Sequence, residues 1–395
     1  MTKLAHLTTS DISLALLLGH QIRAYQEAGF EVTGISAAGE WSPRLVREGL
    51  QHIALPHLRR SWTPLDDARA FAALVRIFRK HRFDIVHTHN PKTGVLGRVA
   101  ARLAGVPVVV NTVHGLYGTD GGALRRTLFL GMERLAAACS DFEFCQSGED
   151  LDLLRRLRII RPDRSMFIGN GVDLSVFDPA AVDRASVRAH LGVDDQTLVV
   201  GAVGRLVWEK GYREFFEAAE RIRATHPQVR FIAVGPFDDD KNDAVPPAVV
   251  DDLERRGIVR FLGLRDDMPA IYCAMDLFVL PSHREGFPRS AVEAAAMGLP
   301  LVLTNIRGCR EVVADGRNGL LIPPRDAGAL EAAVRRLIAD PDTRRAFGEA
   351  NRRLAQAQFD EHRIIALIVD AYRRLLAEKR GRVVDSLDPE SFPSR

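Results

Sequence analysis

Twice along this chain, short β-branched apolar runs alternate with longer amphipathic stretches. No other feature of the sequence restricts the fold as much. An apolar run without in/out alternation reads as a strand buried on both faces, and strands separated by helices read as parallel sheet. In the first half the runs are Lys3–Thr8, Val32–Ser36, Asp84–Thr88, Val106–Asn111 and Phe142–Cys145. Between them Phe71, Leu74, Val75 and Phe78 recur at i, i+3, i+4 and i+7, one stripe of a helix. The scheme restarts with Leu198–Val203, Arg230–Val234, Val259–Leu262, Leu277–Leu280 and Leu301–Leu303. The expected fold class is α/β, with two doubly wound, Rossmann-like domains joined near Val172–Asp194 and facing across a cleft. Ligands of such sheets bind beyond the carboxyl ends of the strands. From Pro341 to Arg380 the periodicity is helical, and Gly381–Arg395 reads as loosely ordered.

A chain of 395 residues with a net charge of +3 has room for two cores and lacks the strong basicity of a nucleic-acid binder. The charge is uneven, however: residues 1–175 hold 22 Lys and Arg against 17 Asp and Glu. That bias suits an anionic membrane surface, and it equally suits ordinary solvated arginines. Arg59-Arg60, Arg76, Arg79-Lys80, Arg98, Arg102 and Arg125-Arg126 are the candidate contacts. Cys139, Cys145, Cys273 and Cys309 have no metal-site spacing, and three lie in or beside apolar runs, as reduced buried thiols do. The start lacks the features of a signal peptide, and no apolar stretch is long enough to span a bilayer. The expected location is the cytoplasm.

Two loops carry the chemistry. The strand Leu198–Val203 runs into Gly204-Arg205 and then Lys210-Gly211. Gly204 lets backbone pass close to a ligand; a guanidinium fork and an ammonium suit a diphosphate, although a turn with two solvated cations has the same composition. The strand ending at Leu280 runs into Pro281-Ser-His-Arg-Glu285-Gly-Phe-Pro-Arg-Ser290-Ala-Val-Glu293. A helix beginning there offers amides and the positive end of its dipole to phosphate or sugar oxygens. Glu285 and Glu293 can each bind vicinal hydroxyls. Ser290-x-x-Glu293 also matches a capping box, in which Glu293 does no more than satisfy the Ser290 amide.

Glu285-x7-Glu293 after Gly204-Arg205…Lys210-Gly211 resembles the retaining GT-B glycosyltransferases of family 4. The likeness is greatest to the branch that assembles capsule, O-antigen and glycoprotein saccharides. It extends through His87-Thr-His89-Asn-Pro-Lys-Thr-Gly, Thr112-Val-His114-Gly115, Gly169-Asn170-Gly171-Val172-Asp173 and Gly308-Cys-Arg-Glu311…Gly316-Arg-Asn-Gly319. The resemblance implies an acceptor-side domain at 1–172, a donor domain at 173–362, and a helix at about 363–380 that returns to the first. It implies that Arg205 and Lys210 hold the donor diphosphate, that Glu293 binds the ribose hydroxyls, and that Glu285 binds the 3- and 4-hydroxyls of the sugar. The backbone around Gly286, Phe287, Pro288, Arg289 and Ser290 touches sugar and distal phosphate, Leu264-Arg265 meet the base, and His114 lies by the reacting carbon. Gly204, Arg205, Lys210, Leu264, Arg265, Glu285 to Ser290 and Glu293 are thus the donor-binding set; His114, Glu285, Arg205 and Lys210 are the catalytic set. Cations and helix-end amides stabilise a departing diphosphate as a metal does elsewhere, so neither metal nor cofactor is expected. In the place of the Gly-rich loop that follows the first strand of many relatives stands Thr8-Thr-Ser-Asp-Ile-Ser13, and Pro288 removes an amide.

Other signals are weighed and set aside. Asp238-Asp239-Asp240 contains Asp-x-Asp, without apolar framing. His87 and His89 share a face if the strand continues that far, which makes a two-histidine metal site conceivable, yet no third ligand stands at a telling spacing; cleft lining or loop hydrogen bonds are favoured. His6, His20 and His283 read as structural. No G-x-G-x-x-G follows the first strand. The resulting expectation is a hexosyltransferase that retains anomeric configuration by a front-face route. A UDP-sugar donor and a polyprenyl-diphosphate-linked saccharide acceptor at the inner membrane face are expected, with no nucleic acid. The rivals are a sugar-nucleotide 2-epimerase of the same architecture and a non-catalytic sugar-nucleotide-binding subunit.

Overall fold

The computed structural model describes residues 1–89, 91–116, 122–237 and 243–381. Asp238-Asp239-Asp240 and the tail from 382 lie outside the described residues. All strands in both sheets run parallel, because each is followed by a segment that crosses over a face. The first sheet comprises β1 (Thr2–Ser10), β2 (Phe30–Ala37), β3 (Gln51–Ala54), β4 (Ile85–His89), β5 (Val108–Val113), β6 (Phe142–Cys145) and β7 (Ser165–Phe167), in the order β3-β2-β1-β4-β5-β6-β7. The second comprises β8 (Val199–Val203), β9 (Arg230–Val234), β10 (Arg260–Phe261), β11 (Leu277–Leu280), β12 (Leu301–Thr304) and β13 (Gly319–Ile322), in the order β10-β9-β8-β11-β12-β13. Strand order therefore reverses between β1 and β4 in one sheet, and between β8 and β11 in the other. Such reversals open a crevice at the carboxyl edge.

Among the described residues the chain divides into one unit of Met1–Ile168 with 363–381, and a second unit of Gly169–His362. In the first, Leu4, Val32, Ile85, Val108 and Phe142 face the helix Glu361–Lys379 through its Ile364, Ile368, Tyr372 and Leu375. The opposite face sets Ala5, Leu7, Val86 and Val109 against Leu74 and Phe78 of the helix Pro64–His81. In the second, Val200, Phe231, Leu277, Val279 and Val302 share a core with Phe215, Phe216, Val334 and Leu337.

Several elements depart from the sequence-based expectation. The strand expected at Val106–Asn111 starts at Val108, because Pro107 cannot donate to a ladder, and it runs on to Val113. β3, β7 and β13 were not visible as apolar runs. All three are edge strands, and β3 is mostly half-buried or exposed, so little hydrophobicity is required of it. β13 opens on Gly319, where a Cβ would lie 2.5 Å from the Leu301 carbonyl oxygen. The stretch expected to be a joint, 172–194, carries a helix, Arg184–His190. It is pinned by Arg188, which is buried and donates to the carbonyls of Ala274 at 2.8 Å and Asp194 at 2.6 Å.

Candidate active site

At the β8/β11 reversal the two expected loops are tied together. The Glu209 carbonyl accepts from the His283 amide at 2.8 Å and from Ser282 Oγ at 3.1 Å, and the His283 ring meets Glu214 at 3.0 Å. Gly211, at φ 79°, comes so close to Pro281 that a Cβ would lie 2.0 Å from its carbonyl oxygen. Gly308 does the same from the other side, where a Cβ would lie 2.5 Å from the Gly286 oxygen and 2.9 Å from that of Glu285. Glycine at those positions fixes the loop that carries Glu285. Gly204 itself has room for a Cβ; the close approach belongs to Gly235, whose Cβ would lie 2.1 Å from the Gly204 oxygen.

Within that frame Lys210 Nζ and Glu285 Oε1 form a 2.6 Å ion pair, with both side chains largely buried. The candidate phosphate ligand and the candidate hydroxyl ligand therefore hold each other. Arg205 sits half-buried on the same loop, just after β8. Leu264 and Arg265 lie past β10 at the same end of the sheet; Leu264 is half-exposed, and Arg265 forks onto Asp267 at 2.6 and 2.8 Å.

The helix Arg289–Ala296 follows, and its geometry excludes the capping-box reading of Glu293. Pro288, not Ser290, occupies the N-cap, and no side chain caps the helix. The capping box does not form. Glu293 instead accepts from Arg289 Nε at 3.0 Å and from Tyr272 OH at 2.9 Å. Both of its oxygens are thus held by side chains, while the uncapped helix start remains suited to an anion. Phe287 is buried, with its ring edge-on to Phe359 at 5.9 Å.

In the first unit, parallel register brings polar residues together at the ends of the central strands. His6 pairs in register with His87, and His89 with Thr112. Because side chains alternate, His6, His87, His89, Thr112 and Phe144 share one face. A chain of hydrogen bonds results: His6 Nδ1 to His89 Nε2 at 2.9 Å, His89 Nδ1 to His114 Nε2 at 3.0 Å, and His114 Nδ1 to Gln146 Oε1 at 3.0 Å. The Gln146 oxygen can only accept, which makes His114 an Nδ1–H tautomer and sets the donor direction back to His6. His87 sits between Tyr372 OH at 2.5 Å and Thr112 Oγ1 at 2.7 Å.

The sequence offered no third ring beside His87 and His89; the sheet supplies His6, with one nitrogen from each ring within 4.8 Å of the others. Five of these six ring nitrogens are nevertheless hydrogen-bonded, and His6 Nε2 is the exception. Burial holds these imidazoles neutral, pushing His6 down to about 3 and His114 to about 4, with His87 and His89 also well below the usual histidine value. His114 therefore has both nitrogens engaged and no charge at neutral pH.

The other face of the same strand ends holds a second polar network, which the sequence reading missed. Thr88 Oγ1 donates to Asn111 Oδ1 at 2.8 Å, and Asn111 Nδ2 donates to Glu143 Oε2 at 2.8 Å. Arg98 bridges Glu143 and Glu133, each at 2.7 Å. Arg98 is 1% exposed, so it is not a surface contact for a membrane. The burial of Arg98 was invisible locally because its carboxylate partners come from 133 and 143. At Thr8–Ser13 the strand continues to Ser10, and Asp11 accepts from the amides of Trp41 at 3.0 Å and Ser42 at 2.8 Å. A carboxylate here braces the neighbouring loop where glycines would leave an open cradle.

Comparison with known proteins falls on the same two halves. Residues 17–171 match the family described as "Glycosyl transferase 4-like domain", and residues 183–354 match "Glycosyl transferases group 1". The chain is 34% identical over 297 residues to UDP-Gal:alpha-D-GlcNAc-diphosphoundecaprenol alpha-1,3-galactosyltransferase of Escherichia coli, covering 74% of this chain and 76% of that one. It is 25% identical over 363 residues to N,N'-diacetylbacillosaminyl-diphospho-undecaprenol alpha-1,3-N-acetylgalactosaminyltransferase of Campylobacter jejuni, covering 90% and 94%. Among solved structures, a sucrose-phosphate synthase from Thermosynechococcus elongatus superposes with a TM-score of 0.78 at 24% identity, over 96% of this chain and 100% of that one. HepE from Anabaena, in complex with UDP, gives 0.76 at 23%, over 95% and 100%. Both share the fold.

Proposed function

The chain belongs to the GT-B glycosyltransferases of family 4 and is a hexosyltransferase of glycan assembly, and from that premise we propose that it moves a hexose or N-acetylhexosamine from a UDP-sugar to a polyprenyl-diphosphate-linked saccharide, with retention and without a metal. The observation that carries this reading is the arrangement around the β8/β11 reversal. Lys210 is paired with Glu285 at 2.6 Å, Arg205 stands on the same loop, and an uncapped helix start leads to Glu293. Cations and amides of this kind stabilise the charge that grows on a departing diphosphate. A sugar hydroxyl pair would replace Lys210 on Glu285 and free the ammonium for phosphate. Two relatives named for diphosphoundecaprenol-linked acceptors support the acceptor class.

The acceptor class further implies work at a bilayer. No helix among the described residues is long and apolar enough to cross a membrane. The helix Ala123–Ala137 does, however, expose Leu124, Leu128 and Leu135 beside Arg125 and Arg126. Apolar side chains flanked by cations suit an anionic headgroup layer, to which each basic residue contributes about 1 kcal/mol.

The test is transfer from a panel of radiolabelled UDP-sugars to undecaprenyl-diphosphate-linked N-acetylglucosamine, in excess EDTA, with the anomer of the product read by NMR. An α-linked product from an α-linked donor is expected. Inversion, or activity lost on chelation and restored by Mn²⁺ or Mg²⁺, would overturn the reading. Conversion of UDP-N-acetylglucosamine to UDP-N-acetylmannosamine without acceptor would show a 2-epimerase instead.

A further inference from the structure

Glu361 is 3% exposed, and neither of its carboxylate oxygens has a hydrogen-bond partner. A buried carboxylate in that condition is costly, and in a native structure it calls for a reason. Its backbone is firmly placed: the Glu361 amide donates to the Val172 carbonyl at 3.1 Å, and the Val172 amide to that of Phe359 at 2.9 Å. The Phe359 ring meets Phe287 edge-on at 5.9 Å, and the Arg289 and Glu361 side chains lie close enough for each charge to act on the other. Arg289 is the main cation acting on Glu361; Asp173 and Glu293 oppose it, and His362 adds a smaller favourable contribution. Burial nonetheless raises the carboxyl above the usual glutamate range.

Arg289 is meanwhile committed to Glu293, and through Nε alone. Two carboxylates thus stand by one guanidinium, and only one of them is bonded to it. If Glu293 is the group that binds ribose hydroxyls, as the proposed function has it, the nucleotide must take over acceptor capacity that Arg289 and Tyr272 now use.

We infer that Glu361 is the second partner of Arg289: when nucleotide occupies Glu293, the guanidinium passes to Glu361, which is held empty for it. Glu361 is then a positioning residue that never touches the donor. It keeps Arg289 from competing for Glu293, and it keeps the arginine's charge satisfied in the occupied state. The unpaired carboxylate of the free protein is the cost of that exchange, so stability and affinity should respond to its removal in opposite directions.

The experiment titrates UDP, GDP and ADP into the full chain by calorimetry and compares variants on whichever nucleotide the parent binds. Glu361→Gln is expected to melt at or above the parent temperature yet bind nucleotide about tenfold more weakly, as for one lost charge-assisted hydrogen bond. In an Arg289→Ala background the same change should have no further effect on affinity. Glu361→Asp, which keeps the charge but shortens its reach, should also weaken binding, and it serves should the glutamine variant not fold. Parent-like affinity in Glu361→Gln, alongside weakened binding in Glu293→Gln, overturns the exchange while leaving the ribose role intact. A fall in melting temperature together with affinity, or an effect that persists without Arg289, also overturns it. Parent-like affinity in Glu293→Gln removes the premise itself, and the proposal with it.

Discussion

Mild acid should destabilise the first unit, and the least size of the effect follows from two of its buried rings. His6, His87, His89 and His114 are neutral in the folded chain, with their pKa values depressed by burial to about 3 for His6 and about 4 for His114. Unfolded, each titrates near 6.5. Because the folded values lie below the unfolded one, nothing is lost above pH 6.5, and stability then declines as pH falls from there toward the folded values. At pH 5.5 the unfolded chain gains about 1.4 kcal/mol per ring, or about 3 kcal/mol for His6 and His114, against about 5–15 kcal/mol for a typical domain; His87 and His89 act in the same direction. For His6 and His114 the figure is insensitive to the exact folded values, since both lie well under pH 5.5. His52, lowered by burial, acts in the same direction; Glu143, raised by burial, acts in the opposite one. Urea melts at pH 7.5, 6.5, 6.0 and 5.5 would measure it. A Trp208→Phe background leaves Trp41 and Trp62 to report on the first unit alone. His6→Gln, which keeps a donor toward His89 but does not titrate, should flatten the pH dependence by about 1.4 kcal/mol at pH 5.5. A midpoint unchanged between pH 7.5 and 5.5 would mean that these rings are charged or solvated in the folded protein, contrary to the chain of hydrogen bonds described.

Lys210→Ala should lower turnover by on the order of 100-fold, as loss of one preorganised charge does, and leave Glu285 buried without its partner. Pairing it with Glu285→Gln should restore stability but not turnover, as thermal melts and kinetics would show. His114→Ala should reduce turnover by about 100-fold while UDP affinity, measured by calorimetry, stays near normal. Since His114 is neutral above about pH 4, the wild-type rate should show no limb between pH 5.5 and 8 that this variant abolishes. Arg98→Leu leaves two buried carboxylates facing each other and should destabilise the first unit by about 3–5 kcal/mol in denaturant melts. Leu124→Ser with Leu128→Ser should weaken binding to anionic vesicles without changing transfer to a soluble acceptor analogue; equal sedimentation of variant and parent would remove that helix as the docking face.

Local periodicity and short-range motif spacing were enough to determine two parallel sheets and the placing of Arg205, Lys210, Glu285 and Glu293 on loops past strand ends. A strand buried on both faces must be apolar, and a loop at its carboxyl end must follow it directly, so both are written in adjacent residues. Edge strands such as Gln51–Ala54 escape that reasoning because one side of an edge is open and demands little apolar character. Whether Glu293 caps its own helix was undecidable from Ser290-x-x-Glu293; only the position of Pro288 at the N-cap and the arrival of Tyr272 settle it. The histidine chain belongs to tertiary structure altogether. His6 and His89 stand 83 residues apart, and nothing local announces that β1 will lie beside β4 in a register that sets His6 against His87. The same holds for Arg98 with Glu133 and Glu143, and for Glu361 with Arg289. Burial of a charge depends on what other segments place around it, and an isolated arginine or glutamate reads as solvated until the fold encloses it.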